Sequence, residues 1–225
     1  MVINLVKKDL ILAKKYMIPM LLFAVIGPIY LYSKLEFSGG SFVSFLITVI
    51  FAEFILFNMV SMSEEKYKGA ALLCTTPYTR NGIIKGKYLF VLLIFIGCFL
   101  LYNLATVIGS SIGLERLTPL NIGIALLVVS IFFGILIPIQ IHLGYEKTRY
   151  ISFFTIFLTP FVLPTVLKWM QSSNLSLDYS FFELIPEIIM DWLPLGIALL
   201  IGFVSMYISS NIYSKKICRI QDCSI

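Results

Sequence analysis

The sequence predicts an all-α, polytopic membrane protein with six transmembrane helices and both termini in the cytoplasm. Three observations carry that reading. Of 225 residues, 59% are hydrophobic and only 13% are charged, whereas soluble domains are about half apolar and a quarter charged. Six apolar segments are long enough, or nearly so, to cross a bilayer, which takes roughly 20 residues of helix. Of the 17 basic residues, 14 fall on one side of that six-span arrangement, and an excess of Lys and Arg marks the cytoplasmic side. The net charge of +5 follows this topology and is no nucleic-acid signature.

Residues 1–16 read as a unit of their own. On a helix, Asn4, Lys7, Lys8, Lys14 and Lys15 share one side, and Val2, Leu5, Val6, Leu10, Leu12 and Ala13 share the other. That is the pattern of an interfacial helix on the inner leaflet. Ile11 falls among the lysines. Asp9 falls on the apolar side, either as a snorkelling or lysine-paired acid or as a buried contact to a cytoplasmic loop. The first span, Met17–Tyr32, is short and carries Pro19 and Pro28, so it is expected to kink or tilt. No small-residue cleavage site follows it, so it reads as a retained span.

The remaining spans are placed at Ser41–Met62, Tyr88–Ile112, Ile122–Ile141, Ile151–Trp169 and Leu193–Tyr213. Only Lys34, Arg116 and Lys168 lie on the outer side. The four cysteines are Cys74, Cys98, Cys218 and Cys223. None is placed for an extracytoplasmic disulfide, and Cys218 and Cys223 lack the company a metal site needs, so no metal is expected.

The loop between the second and third spans is the longest polar run on the cytoplasmic side. Glu64 and Lys68 stand four apart with the acid first, the favoured helical order. Tyr67, Ala70, Ala71 and Cys74 form a small apolar stripe. A short helix over Glu64 to Cys74 is predicted. Pro77 cannot continue it, and Thr76 is free to cap a new helix with Pro77 in its first turn. That second helix carries Lys85 and Lys87 to the membrane surface and runs on into the third span. Read without a partner, the loop is an amphipathic connector.

Polar residues inside the apolar segments are few. Glu53 lies near the middle of the second span, where a carboxylate costs at least a few kcal/mol unless paired or protonated. It either lines a translocation pathway or central helix contact, or is a protonated acid bonded to a neighbouring helix. Asn58 falls on a nearby face. Asn103, Gln140 and His142 are further buried or interfacial groups, and His142 reads as an interfacial residue rather than a proton relay. Gly109 to Gly113, "GSSIG", is a small-xxx-small pattern near the outer end of the third span. The last external loop, Asn174 to Gly196, is acidic, apolar and interrupted by Pro186 and Pro194. It reads, on its residues alone, as an interfacial anchor with Trp192 in the aromatic belt.

The stretch "EEKYKGAALLCTTPYTRNGIIKGKYL" resembles the loop between the second and third spans of small ABC-type-2 exporter permeases. The matching positions are Glu64 or Glu65, Lys66, Gly69, Leu72, Leu73, Pro77, Thr79, Arg80, Lys87 and Tyr88. The opening "LVKKDLILAKKY" is similar to the basic N-terminal helix of such permeases, Asp9 included. Within that group the chain looks most like the membrane subunits of phenol-soluble-modulin exporters, which expel amphipathic toxin peptides from Gram-positive bacteria. The resemblance implies one transmembrane domain over residues 1–225 in a bacterial cell membrane. Residues 63–87 would be a cytoplasmic coupling loop, and residues 170–192 a re-entrant external gate with Phe181, Phe182, Glu183 and Pro186. Glu64, Glu65, Tyr67, Lys68, Leu72, Thr76, Pro77 and Arg80 would dock a separate ATP-binding subunit. The partners it implies are that subunit, a second permease copy, the lipid bilayer and an amphipathic peptide.

The chain carries no cofactor site of its own on this reading, and ATP and Mg2+ would be held by the partner. Gly82 to Tyr88, "GIIKGKY", has the wrong spacing for a phosphate-binding P-loop and lacks its hydroxyl residue. Two other classes compete. A membrane enzyme would need a Ser/His pair, HExxH or paired Asp within spans, and none is present. An ATPase-independent secondary transporter predicts internal repeats and matched broken helices at the midplane, and neither is apparent.

Overall fold

The computed structural model describes residues 2–34, 40–67, 80–109, 113–150, 153–154, 165 and 187–222. Five long helices occur among them: α1 (Val2–Lys34), α2 (Gly40–Lys66), α3 (Arg80–Ile108), α4 (Pro119–Leu143) and α5 (Glu187–Asp222). Each is long and apolar enough to cross a membrane. Most of the expected fifth span, Ile151–Trp169, and of the expected hairpin at 170–192 lies outside the described residues.

The helices outrun the apolar segments that predict them. At 1.5 Å per residue α1 is roughly 50 Å long, well beyond a hydrocarbon core of about 30 Å. The expected separation between residues 1–16 and the first span is therefore not seen: α1 runs through both without a break. Pro19 and Pro28 sit inside it. Each removes one backbone bond to the carbonyl four residues earlier but leaves the rest of the ladder in place. The predicted faces persist, because Leu5, Val6, Asp9 and Ala13 are buried while Ile11 is exposed among the lysines. α3 begins at Arg80 and carries Lys85 and Lys87 into the span in one helix.

α2 is the centre of the bundle. Of its most apolar window 83% is buried, against 17–33% for the other four helices. α1 packs closely on α2 and α3, α4 packs closely on α5, and α3 meets α5 more lightly. Without a hydrophobic force between helices in lipid, such packing rests on close fit and polar bonds. Aromatic rings supply part of the fit around α2. Phe45 meets Tyr102 at 5.0 Å and Phe57 meets Phe133 at 5.4 Å between centroids, both edge to face, the arrangement the ring quadrupole favours.

Local signals set the ends of α4. Thr118 caps it, its hydroxyl accepting from the Asn121 amide at 3.3 Å, and Pro119 opens its first turn. Gly144 closes it at φ +88°, donating its N–H to the Gln140 carbonyl. Of the Gly109–Gly113 motif, residues 110–112 lie outside the described residues. α3 stops at Ile108, the Leu114 amide donates to the Gly109 carbonyl at 3.2 Å, and Gly113 turns at φ +88°. At the same end the Tyr102 hydroxyl reaches the Ser41 and Glu115 carbonyls at 3.3 and 3.1 Å.

α4 and α5 approach closely where Gly123 faces Leu195. A Cβ on Gly123 would lie 3.0 Å from the Leu195 backbone nitrogen, which has no flexible end to move. Gly123→Val should therefore separate the two helices and cost about 1–3 kcal/mol. Thermal unfolding in detergent checks this, and an unchanged midpoint would show that the helices are not held that close.

Candidate functional site

Three helix ends meet at the basic end of the bundle. α1 enters there, α2 finishes there at Lys66, and α3 starts there at Arg80. Each brings charge to the junction because its polar residues fall just beyond its apolar stretch. Glu64, in the last turn of α2, is the hub. Its Oε1 accepts from Lys8 Nζ on α1 at 2.6 Å, and its Oε2 accepts from Lys87 Nζ on α3 at 2.6 Å. Lys8 Nζ also lies 3.0 Å from Asp9 Oδ1. Two acids and two bases balance one another.

The cluster is sheltered. The side chains of Glu64 and Lys87 are 15% and 16% exposed, Lys8 is 33% exposed and Asp9 4%. Charge-assisted bonds in such a place are strong, and the lost hydration of each ion makes the partners mutually dependent. Lys87 also stands 5.9 Å from the centre of the Phe57 ring, a cation–π distance. Asp9 combines features of both sequence readings: it is buried and lysine-paired, and its lysine reaches the root of the loop. Its Oδ1 is within ion-pair range of Lys8 but off hydrogen-bond alignment, since the ammonium points to Glu64.

The expected docking residues divide. Glu64 turns inward, with both oxygens on lysines of its own chain, because an unpaired carboxylate at that depth would be costly. Glu65 and Tyr67 are exposed, and Lys66 Nζ lies 5.7 Å over the Tyr67 ring. No separate helix begins at Glu64: α2 continues to Lys66 and Tyr67 is in a turn. Lys68, Leu72, Thr76 and Pro77 lie outside the described residues, as do Phe181, Phe182, Glu183 and Pro186 of the expected external gate. Arg80 is the first residue of α3.

The two residues expected on a translocation pathway are both inside the single chain. Asn58 is 3% exposed and donates to the Phe54 carbonyl of its own helix at 2.9 Å. Glu53 is fully buried and neither carboxyl oxygen has a hydrogen-bond partner. Among the described residues the expected bond to a neighbouring hydroxyl or amide is absent, and none of them offsets the cost of a charge there.

Other polar ties were not legible beforehand. The Tyr88 hydroxyl bonds Ser205 Oγ at 2.6 Å and Ser209 Oγ at 2.9 Å, and Ser205 Oγ donates to the Gly134 carbonyl at 2.6 Å. This joins α3, α4 and α5. Ser61 Oγ donates to Gln140 Oε1 at 3.3 Å, joining α2 to α4. The only sequence signal was the i, i+4 spacing of Ser205 and Ser209 in an apolar helix.

Two outcomes are expected. Glu64→Ala leaves two sheltered lysines unpaired and should cost about 2 kcal/mol, less than the 3–5 of a fully buried pair because Lys8 is partly solvated. Adding Lys8→Met to Glu64→Ala should cost little more, since the bond is already gone. Additive losses in thermal midpoints would mean the pair is not coupled. Glu53→Leu removes an unsatisfied buried group and should raise the midpoint, by about 1–3 kcal/mol of stability. A lowered midpoint would show that the carboxyl is bonded.

Comparison with known proteins agrees with this architecture. No curated protein and no solved structure is significantly similar to the chain. The family described as ABC-2 family transporter protein matches residues 4–214, nearly the whole length. With its apolar spanning helices it is a multi-pass membrane protein, and the chain belongs to the ABC-2 family of transporter membrane components.

Proposed function

We propose that the chain is the permease subunit of an ATP-driven exporter, forming with a second copy the route by which amphipathic peptides leave a bacterial cell. The basic end then faces the cytoplasm, as the positive-inside rule requires. A separate subunit binds ATP and Mg2+ and pushes on residues 63–87. An external gate is formed from residues 170–192. The peptide cargo rests on the likeness to phenol-soluble-modulin exporters.

The observation that carries the coupling is the Glu64 junction. The segment between α2 and α3 has its two roots at Lys66 and Arg80, and Glu64 and Lys87 tie those roots to each other and to α1. A push on the segment therefore loads three helices together. Glu65, Tyr67, Lys68, Leu72, Thr76, Pro77 and Arg80 remain the docking candidates. Glu64 becomes the residue that passes the push on.

Co-expression with an ABC-type ATP-binding subunit from the same genome tests both roles. The complex should co-purify, and an amphipathic peptide should stimulate its ATP hydrolysis in proteoliposomes. Leu72→Glu together with Gly69→Glu should abolish co-purification while membrane insertion is kept. Glu64→Ala should leave co-purification intact but cut peptide-stimulated hydrolysis by roughly tenfold, the loss of about 1.4 kcal/mol of coupling. Failure of the wild type to bind any such ATPase sinks the exporter reading, and an unaffected Glu64→Ala sinks the junction's part in it.

A further inference from the structure

α3 and α4 are consecutive in the described chain, yet they make almost no direct contact. Between them and α5 runs a groove of about 350 Å³. Its walls are carbon from Leu89, Leu92 and Phe95 on α3, Val129 and Phe133 on α4, and Phe203 on α5. Its polar members are few. Tyr88 lies in it, but its hydroxyl is already bonded to Ser205 and Ser209. Ser130 is another, and Lys85 stands exposed at the rim, at the basic end of α3.

Close-packed proteins rarely leave a dry space of this size unfilled, and an apolar cavity takes an apolar guest. Three features select the guest. From Lys85 to Phe95 the groove follows α3 for roughly 15 Å. A membrane-crossing helix of a second copy is about 30 Å long, twice that length, so the groove does not seat it. An extended peptide would bring backbone N–H and C=O groups into walls that offer them almost no partner. A hydrocarbon chain brings none. At the rim, the ammonium of Lys85 complements an anionic headgroup on that side of the membrane.

We propose that this groove binds one anionic phospholipid, with an acyl chain between α3, α4 and α5 and its phosphate at Lys85. The lipid would fill the gap between α3 and α5, so it would also set how those helices pack.

Gly202 gives a clean probe. It lines the groove, and a Cβ there would meet no atom within 4 Å, so Gly202→Leu fills the space without a clash at its root. The full-length protein in detergent is offered equal phosphatidylglycerol and phosphatidylcholine and examined by native mass spectrometry. The wild type should retain one phosphatidylglycerol in preference. Gly202→Leu should lose retention of either lipid by roughly tenfold or more, as expected when several buried methylenes are displaced. Lys85→Gln, a change to an exposed side chain, should keep a bound lipid and lose the preference for the anionic one. Equal retention by wild type and Gly202→Leu overturns the proposal, as does a wild type without headgroup preference. A change in subunit number instead of lipid mass in Gly202→Leu overturns it in favour of a subunit interface. Displacement of the lipid by an added amphipathic peptide overturns it in favour of a cargo site.

Discussion

At the basic end of the bundle, one carboxylate holds the ends of three helices. Glu64 has one oxygen on Lys8 of α1 and the other on Lys87 of α3. In lipid, neighbouring helices gain nothing from hydrophobic burial, since acyl chains are as apolar as leucine. Their positions must come from close fit and from polar bonds that the bilayer cannot replace. Glu64 supplies two such bonds at the point where α1, α2 and α3 all come out of their apolar stretches. Remove it and the lysines are left with no acid but Asp9, which is nearly closed to solvent.

The rest of the packing follows from that junction. With its basic end fixed against α1 and α3, α2 becomes the helix around which the others wrap, and its burial is continuous from Val43 to Ala52 apart from Phe51. At the far end, Tyr102 of α3 ties the start of α2 to the segment before α4 by reaching the Ser41 and Glu115 carbonyls. α4 and α5 make a second unit, brought together where Gly123 meets Leu195. Few contacts join the two units. They include the Tyr88 hydroxyl on Ser205 and Ser209, the Ser61 bond to Gln140 and the Phe57–Phe133 ring pair. The groove between α3 and α5 lies beside these contacts.

Glu53 stands apart from this economy. It is the one acid in the middle of the most buried helix, and among the described residues it has no hydrogen-bond partner. A buried group left unsatisfied destabilises the fold. Among the described residues, nothing in the packing around it gains from a carboxyl.

The sequence by itself determined the all-helical membrane class, the order of the described helices, and the end at which charge collects. Those follow from hydropathy and from the 14 basic residues on one side, quantities that lie along the chain. It also placed the faces of residues 1–16 correctly, since a helix imposes its period whatever it packs against. It set that stretch apart from the first span because composition changes at Met17, whereas the backbone ladder of α1 does not. It offered Glu64 to an outside partner because its own lysines lie 56 and 23 residues away, and no local pattern brings them near. Only the tertiary structure decided that pairing, the depth of α2 and the gap beside α3. Each depends on which helices become neighbours, and in a bilayer that choice is made by shape and by paired polar groups rather than by hydrophobicity.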